Sequence, residues 1–219
     1  MITRREFSAA ATAALALAGW GQGAPAWAQA AGAAPVEGRD YVRLNTPVAV
    51  LAGGKIDVIE FFSYGCPHCY SFEPMLEQWV KRLPADVAFR RVPATFNPTF
   101  EGYAKLFYAL EAIGQVEALH KRVFAAIHVQ RQRLDKEADI AAFVSANGGD
   151  GAKAVDAMKS FGVATKLRLA KQAFEGYKID GVPTLGIHGR WFTSGSLTGS
   201  NDKALAVADQ LIQRARKGG

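Results

Sequence analysis

From residue 55 the chain reads KIDVIEFF, a near-continuous run of β-branched and apolar side chains interrupted only by Asp57 and Glu60. Such a run, without polar alternation, predicts a central strand covered on both faces. A short turn follows at Ser63-Tyr64-Gly65, and the pattern then changes to a helix from Cys66 to about Leu83, ended by Pro84. Pro67 suits the first helical turn, where a missing N–H costs nothing. Pro74, deeper in the helix, predicts a kink. Val87 to Val92 forms a second strand, and a right-handed crossover through the helix makes the two strands parallel. Beyond it the period is helical. Tyr103, Leu106, Phe107 and Leu110 fall at i, i+3, i+4 and i+7, and Val116, Leu119, Val123 and Ile127 repeat the stripe. With Gly114, Asn147 to Gly149 and Gly162 as punctuation, residues 98 to 177 predict four or five helices. Strands return at about Thr184–Ile187 and Arg190–Thr193, joined by a turn at His188-Gly189. A last helix runs from about Asp202 to Arg216, with Ser200 or Asn201 as its N-cap.

Composition narrows this picture. With 49% hydrophobic and 11% aromatic residues in 219, the chain can bury a core and is globular rather than disordered. The net charge of +6 is spread out, without the dense Lys/Arg stripe that nucleic acid requires, so no nucleic-acid partner is expected. Residues 1 to 28 read as an export signal. Arg4 and Arg5 supply a basic start, Ala9 to Gly19 an apolar stretch, and Ala26-Trp27-Ala28 a cleavage motif that places processing near residues 28 to 30. Thr3 to Phe7 also fits a twin-arginine signal, so the export route is Sec or twin-arginine. A short segment, 29 to 40, precedes the first folded residues. The destination is an oxidising compartment.

The only cysteines, Cys66 and Cys69, lie in that setting within Cys-Pro-His-Cys. A disulfide between them closes a ring of four residues, for which the chain-entropy gain is only about 2 kcal/mol, so a structural staple is a poor account. Covalent haem needs a histidine where Tyr70 stands. Structural zinc wants four ligands, and His120, His128 and His188 are scattered singly along the chain. Redox exchange leads. Cys66, at a helix N-terminus where the dipole favours a thiolate, is the candidate nucleophile; Cys69, one turn deeper, is the candidate resolving thiol. His68 is read as a donor or partial charge near the Cys66 sulfur. Glu60, a charge inside an apolar strand, is either a solvated strand end or a buried carboxyl. His120 and His128 are read as packing or surface residues.

A strand, a C-x-x-C at a helix start, a second strand and a distant Val-Pro-Thr (182 to 184) resemble the thioredoxin superfamily. Within it, EFFSYGCPHCY, residues 60 to 70, resembles the DsbA family of periplasmic thiol:disulfide oxidoreductases. The likeness extends from Tyr41 over nearly all of the remaining chain. It implies an α/β, thioredoxin-like fold with an inserted all-helical domain: residues 41 to 97 and 178 to 216 form the first, and 98 to 177 the insertion. It further implies that Glu60 relays the Cys69 proton, that Pro67 and His68 belong to the catalytic motif, and that Pro183 is a cis-proline leaving Val182 to pair with a substrate strand. The implied activity is disulfide donation to cysteines of exported proteins in the periplasm, with no cofactor or metal beyond the Cys66–Cys69 pair. Re-oxidation by a quinone-linked, DsbB-like membrane partner follows from the same likeness. An isomerase or reductase of the same fold, or a periplasmic metal carrier using Cys66, Cys69 and His68, are the alternatives. The ten or so residues before Tyr41 are too few for a dimerisation domain, so a monomer is expected.

Overall fold

The computed structural model describes residues 34–218, so residues 1 to 28, read as an export signal, the expected cleavage near 28 to 30 and residues 29 to 33 lie outside the described residues. Five strands form one sheet: β1 (Val42–Arg43), β2 (Ile56–Phe62), β3 (Val87–Pro93), β4 (Thr184–Ile187) and β5 (Trp191–Thr193), in the order β1-β5-β4-β2-β3. β2 and β3 are parallel, as a crossover helix requires, and every other pair is antiparallel. All seven residues of β2 are buried, including Asp57 and Glu60. The apolar run is therefore a central strand.

The pleat of β2 sends alternate residues to opposite faces. Ile56 and Val58 pack with Phe72, Leu76 and Trp79 of α1 (Pro67–Val80) and with Leu205, Leu211 and Ile212 of α8 (Asn201–Arg216). Trp79 adds a hydrogen bond from its indole N–H to Asp209 at 2.8 Å, which ties α1 to α8. Ile59 and Phe61 point the other way, into a core built from five helices inserted between β3 and β4. These are α2 (Pro98–Ala112), α3 (Val116–His128), α4 (Glu137–Ala146), α5 (Gly151–Met158) and α6 (Phe161–Tyr177). The stripe Tyr103, Leu106, Phe107, Leu110 is buried there with Leu119 and Val123, while Val116 and Ile127 are only partly covered.

Some boundaries differ from the pattern reading. Gly162 marks the break between α5 and α6 to within two residues. It sits in the first turn of α6, whose N-cap is Ser160, accepting a hydrogen bond from the Val163 N–H. β1 and the short α7 (Gly195–Thr198) carry no periodicity long enough to read. Ser200 is the N-cap of α8, with its hydroxyl accepting from the Lys203 N–H. Pro74 stands inside α1 on its exposed side.

Gly186, in β4 opposite Ile59, shows how tightly the insertion meets the sheet. A Cβ at this position would come within 2.6 Å of the Tyr177 ring and 3.0 Å of Phe61, which themselves pack edge to face at 5.1 Å. Gly186→Ala is therefore expected to lower stability by about 1–3 kcal/mol through overpacking. Urea titration should show a lower midpoint with an unchanged slope.

Candidate active site

Cys66 is the N-cap of α1, in extended backbone conformation (φ −92°, ψ 115°), with Pro67 beginning the helix. Its sulfur therefore stands in the position a serine or aspartate oxygen takes at other helix starts, accepting from the Cys69 N–H at 3.4 Å. The Cys66 thiol also lies 3.4 Å from the Val182 carbonyl oxygen, to which it donates. The Val182–Pro183 peptide is cis. The loop that resembles the family's cis-proline loop thus lies against the first cysteine, across 116 residues of sequence. Both thiols are free. Cys66 is 7% exposed and Cys69 fully buried, while Pro67 and His68 are exposed. His68, Val182 and Pro183 share the lining of an open cavity of about 290 Å³ with Ser196, Ser200 and Asn201. Gly65, just before Cys66, has no Cβ because one would meet the Tyr103 ring at 2.9 Å.

The two sulfurs have opposite electrostatics. The Cys69 thiol, the N–H groups of Cys69 and His68, and the charge of His68 together hold Cys66 down at about 6 against the opposing effect of burial. Burial pushes Cys69 far up, and the adjacent Cys66 sulfur and Glu60 add to the rise.

Beneath the pair lies a buried polar chain. Glu60 is fully buried and is not a solvated strand end. Its Oε2 accepts from Arg91 Nε at 2.9 Å, and Nη2 of the same guanidinium donates to Glu73 Oε1 at 2.5 Å. His120 Nε2 lies 3.4 Å from that Glu73 oxygen, and its Nδ1 is 2.8 Å from the Tyr64 hydroxyl. Burial raises Glu60 to about 8 and the nearby Glu73 adds to this, with Arg91 opposing. Burial also works to raise Glu73, but His120, Arg91 and Lys121 outweigh it and hold Glu73 low. His120 is thus more than a packing residue, and His128 accepts a specific place too: its Nε2 is 2.8 Å from the Tyr64 carbonyl and its ring stacks on Tyr70 at 5.1 Å.

Glu73, Arg91 and Tyr64 carry no signal of their own in the sequence. Glu73 reads as one more helix charge, and Arg91 as one of two strand arginines. The available hint is the need for a partner that two carboxyls in an apolar strand create. Consecutive arginines answer it, because Arg90 holds Asp57 through two hydrogen bonds of 3.0 Å on one face and Arg91 holds Glu60 on the other. Among the described residues no three His, Cys, Asp or Glu side chains converge as a metal site.

Residues 87–204 match the family model described as a DSBA-like thioredoxin domain, a stretch that begins at β3, after the cysteines. The chain is 41% identical over 186 residues to the thiol:disulfide interchange protein DsbA of Pseudomonas syringae pv. tomato, covering 84% of this chain and 86% of that one. The chain belongs to the DsbA family. The DsbA of Burkholderia cepacia is 40% identical over 190 residues, 86% of this chain and 90% of that one. Alignments of this length run across Cys66 and Cys69. The crystal structure of Pseudomonas aeruginosa DsbA superposes with a TM-score of 0.81 at 36% identity, covering 84% of this chain and 96% of that one. The thioredoxin-like DsbA fold, a mixed sheet with helices on both sides, is therefore that of this chain.

The opposed thiols give this DsbA-family chain a specific pH signature in its dithiol form. The folded Cys66 value of about 6 lies below that of an unfolded thiol, about 8.5, so its contribution to stability is fully present above about 8.5 and is lost as pH falls through 6. Each pH unit in that window changes it by about 1.4 kcal/mol. Cys69 has the opposite sign: raised in the fold, it destabilises the dithiol form once an unfolded thiol would ionise. The stability of the dithiol form relative to the disulfide form is expected to rise from pH 6 to about 8.5 and then fall. Paired denaturant titrations of the two forms across that range check it, and a flat difference would contradict the thiol assignment.

Proposed function

We propose that the protein is an exported thiol:disulfide oxidase that passes the Cys66–Cys69 disulfide to cysteines of exported proteins in the periplasm. The observation that carries this reading is the asymmetry of the pair: a depressed, partly accessible Cys66 beside the Val182–Pro183 loop, and a buried Cys69 above a carboxyl that burial keeps protonated near neutral pH. A substrate thiolate attacks the Cys66 sulfur. The Cys66–Cys69 bond breaks and its electron pair goes to Cys69, which cannot remain a thiolate in that environment and takes the proton of Glu60. A second substrate thiolate then attacks the substrate sulfur of the mixed disulfide, and Cys66 leaves as a thiolate, the form its surroundings favour. Both electrons end on the protein, which leaves as the dithiol.

In this scheme Pro67 starts the helix that presents Cys66, His68 supplies charge and an N–H beside the sulfur, and the Val182 backbone next to Pro183 pairs with an extended substrate strand. Residues 98 to 177 act as an inserted helical domain that closes the far side of the sheet. Re-oxidation falls to a membrane-bound, quinone-linked oxidase of the DsbB kind, and the pair itself is the only redox group needed. A stabilised Cys66 thiolate makes the disulfide oxidising rather than reducing, which favours oxidase over reductase.

The test is to mix the purified disulfide form with a reduced, unfolded protein carrying two cysteines. One substrate disulfide should appear for each Cys66–Cys69 pair reduced, and no transfer would overturn the reading. Cys69→Ser is expected to hold substrates as long-lived mixed disulfides on Cys66, seen as adducts on non-reducing gels; adducts on Cys66→Ser instead would reverse the roles. Glu60→Gln, unable to give up a proton, should slow opening of the disulfide by glutathione and remove its pH step near 8.

A further inference from the structure

Glu60 and Glu73 compete for one guanidinium, and His120 lies on the Glu73 side of that competition. His120 belongs to α3, in the helical insertion, yet its ring is buried between Phe62, Phe107 and Phe124 and reaches the site from behind. Tyr64 comes from the turn that leads into Cys66, and it meets His120 Nδ1 at 2.8 Å. With the Tyr64 hydroxyl donating to Nδ1, the imidazole proton sits on Nε2, facing Glu73 Oε1 at 3.4 Å. Glu73 Oε1 thus receives Arg91 and has His120 Nε2 at ion-pair distance, 3.4 Å, whereas Glu60 has only Arg91 Nε; His120 Nε2, Glu60 Oε1 and Glu73 Oε2 are each buried without a hydrogen-bond partner among the described residues.

We propose that His120 is a positioning residue for the exchange reaction: it holds Glu73 against Arg91, so that the single proton of the carboxyl pair stays on Glu60, beneath Cys69. The inference rests on the reading above that Glu60 supplies that proton. The charged groups facing His120 are Glu73 and Glu77 of α1 and Arg91 of β3, with Lys121 paired to Glu77 at the rim. Burial, with Arg91 adding, holds His120 below its ordinary value, so the ring acts as a neutral donor at neutral pH. Two carboxyls sharing one proton titrate as a unit, and a donor to one of them decides where the proton resides. Without His120, Glu73 becomes the better base, the proton moves partly onto it, and the pair as a whole releases the proton at higher pH.

The experiment is the rate at which glutathione opens the Cys66–Cys69 disulfide, divided by the glutathione thiolate concentration, from pH 5 to 10. The wild-type profile should be a plateau that steps down near the Glu60 value of about 8. In His120→Leu the plateau is expected to drop roughly threefold to tenfold, the scale of one ordinary net hydrogen bond, while the step moves to higher pH. His120→Gln, whose amide can donate to Glu73, should recover the plateau. A lower melting temperature with plateau and step unchanged would make His120 merely structural and overturn the proposal. If His120→Leu fails to fold, Tyr64→Phe, which releases the ring tautomer, should lower the plateau in the same direction, and an unchanged plateau there overturns the proposal as well. A wild-type protein that exchanges without any pH step would instead overturn the role of Glu60 itself.

Discussion

Two carboxylates, Glu60 and Glu73, lie beneath the thiol pair with one guanidinium between them, and that shortage of positive charge shapes the site. Burying two carboxylates beside one arginine leaves an excess negative charge in a medium that cannot solvate it. The cheapest remedy is a proton, and Glu60, more deeply buried and without the His120 contact that Glu73 has, keeps it to about pH 8. Arg91 cannot be spared in this arrangement, since removing one partner of a buried ion pair costs about 3–5 kcal/mol. The proton held on Glu60 is thus a by-product of how the ion pairs are counted.

The register of the sheet sets up that count. Parallel pairing places Ile59 opposite Arg90 and Glu60 opposite Arg91, so consecutive arginines point to opposite faces. Arg90 goes with Asp57 toward the insertion side, and Arg91 goes with Glu60 toward α1. Sliding β3 by one residue would exchange the faces of the two arginines and turn every other side chain of the strand over with them. The same pairing that positions the crossover helix, and with it Cys66, therefore fixes the charge on Glu60. Geometry and acidity are not separate features of this site.

The parts that sequence reasoning reached are those governed by short periods and local stereochemistry. The run at 55 to 62, Cys-Pro-His-Cys at a helix start, the stripe from Tyr103 to Leu110 and the Val-Pro-Thr loop are all local patterns, and each lies where its pattern placed it. Glu60 could be flagged as anomalous but not resolved, because its partner Arg91 lies 31 residues away. Glu73 falls on a helix face where charges are ordinary, and only the fold shows that this face looks into the core. His120 sits beside the buried Leu119 in a stripe that reads as plain packing, and its bond to Tyr64 spans 56 residues. Gly162 places the break between α5 and α6 two residues late, because Ser160 is the cap and the helix runs through the glycine.

The difference between the thiols follows from one helical turn. Cys66 is the cap, so the free N–H groups of the first turn converge on its sulfur, and an ionised sulfur satisfies them better than a neutral one. Cys69 is three residues on, inside the turn, where burial, the Cys66 sulfur and the Glu60 carboxyl outweigh the one backbone hydrogen bond, from Ser63, that favours its anion. A disulfide between them therefore joins a sulfur that gains by leaving as an anion to one that must be protonated to leave. In the proposed exchange, attack at Cys66 expels the poorer leaving group, and the proton it needs comes from the protonated Glu60 below. Attack at Cys69 would release the better anion, but burial closes that route to any protein substrate. In that scheme the depth of the second cysteine, more than any intrinsic reactivity, sets the direction in which a substrate is engaged.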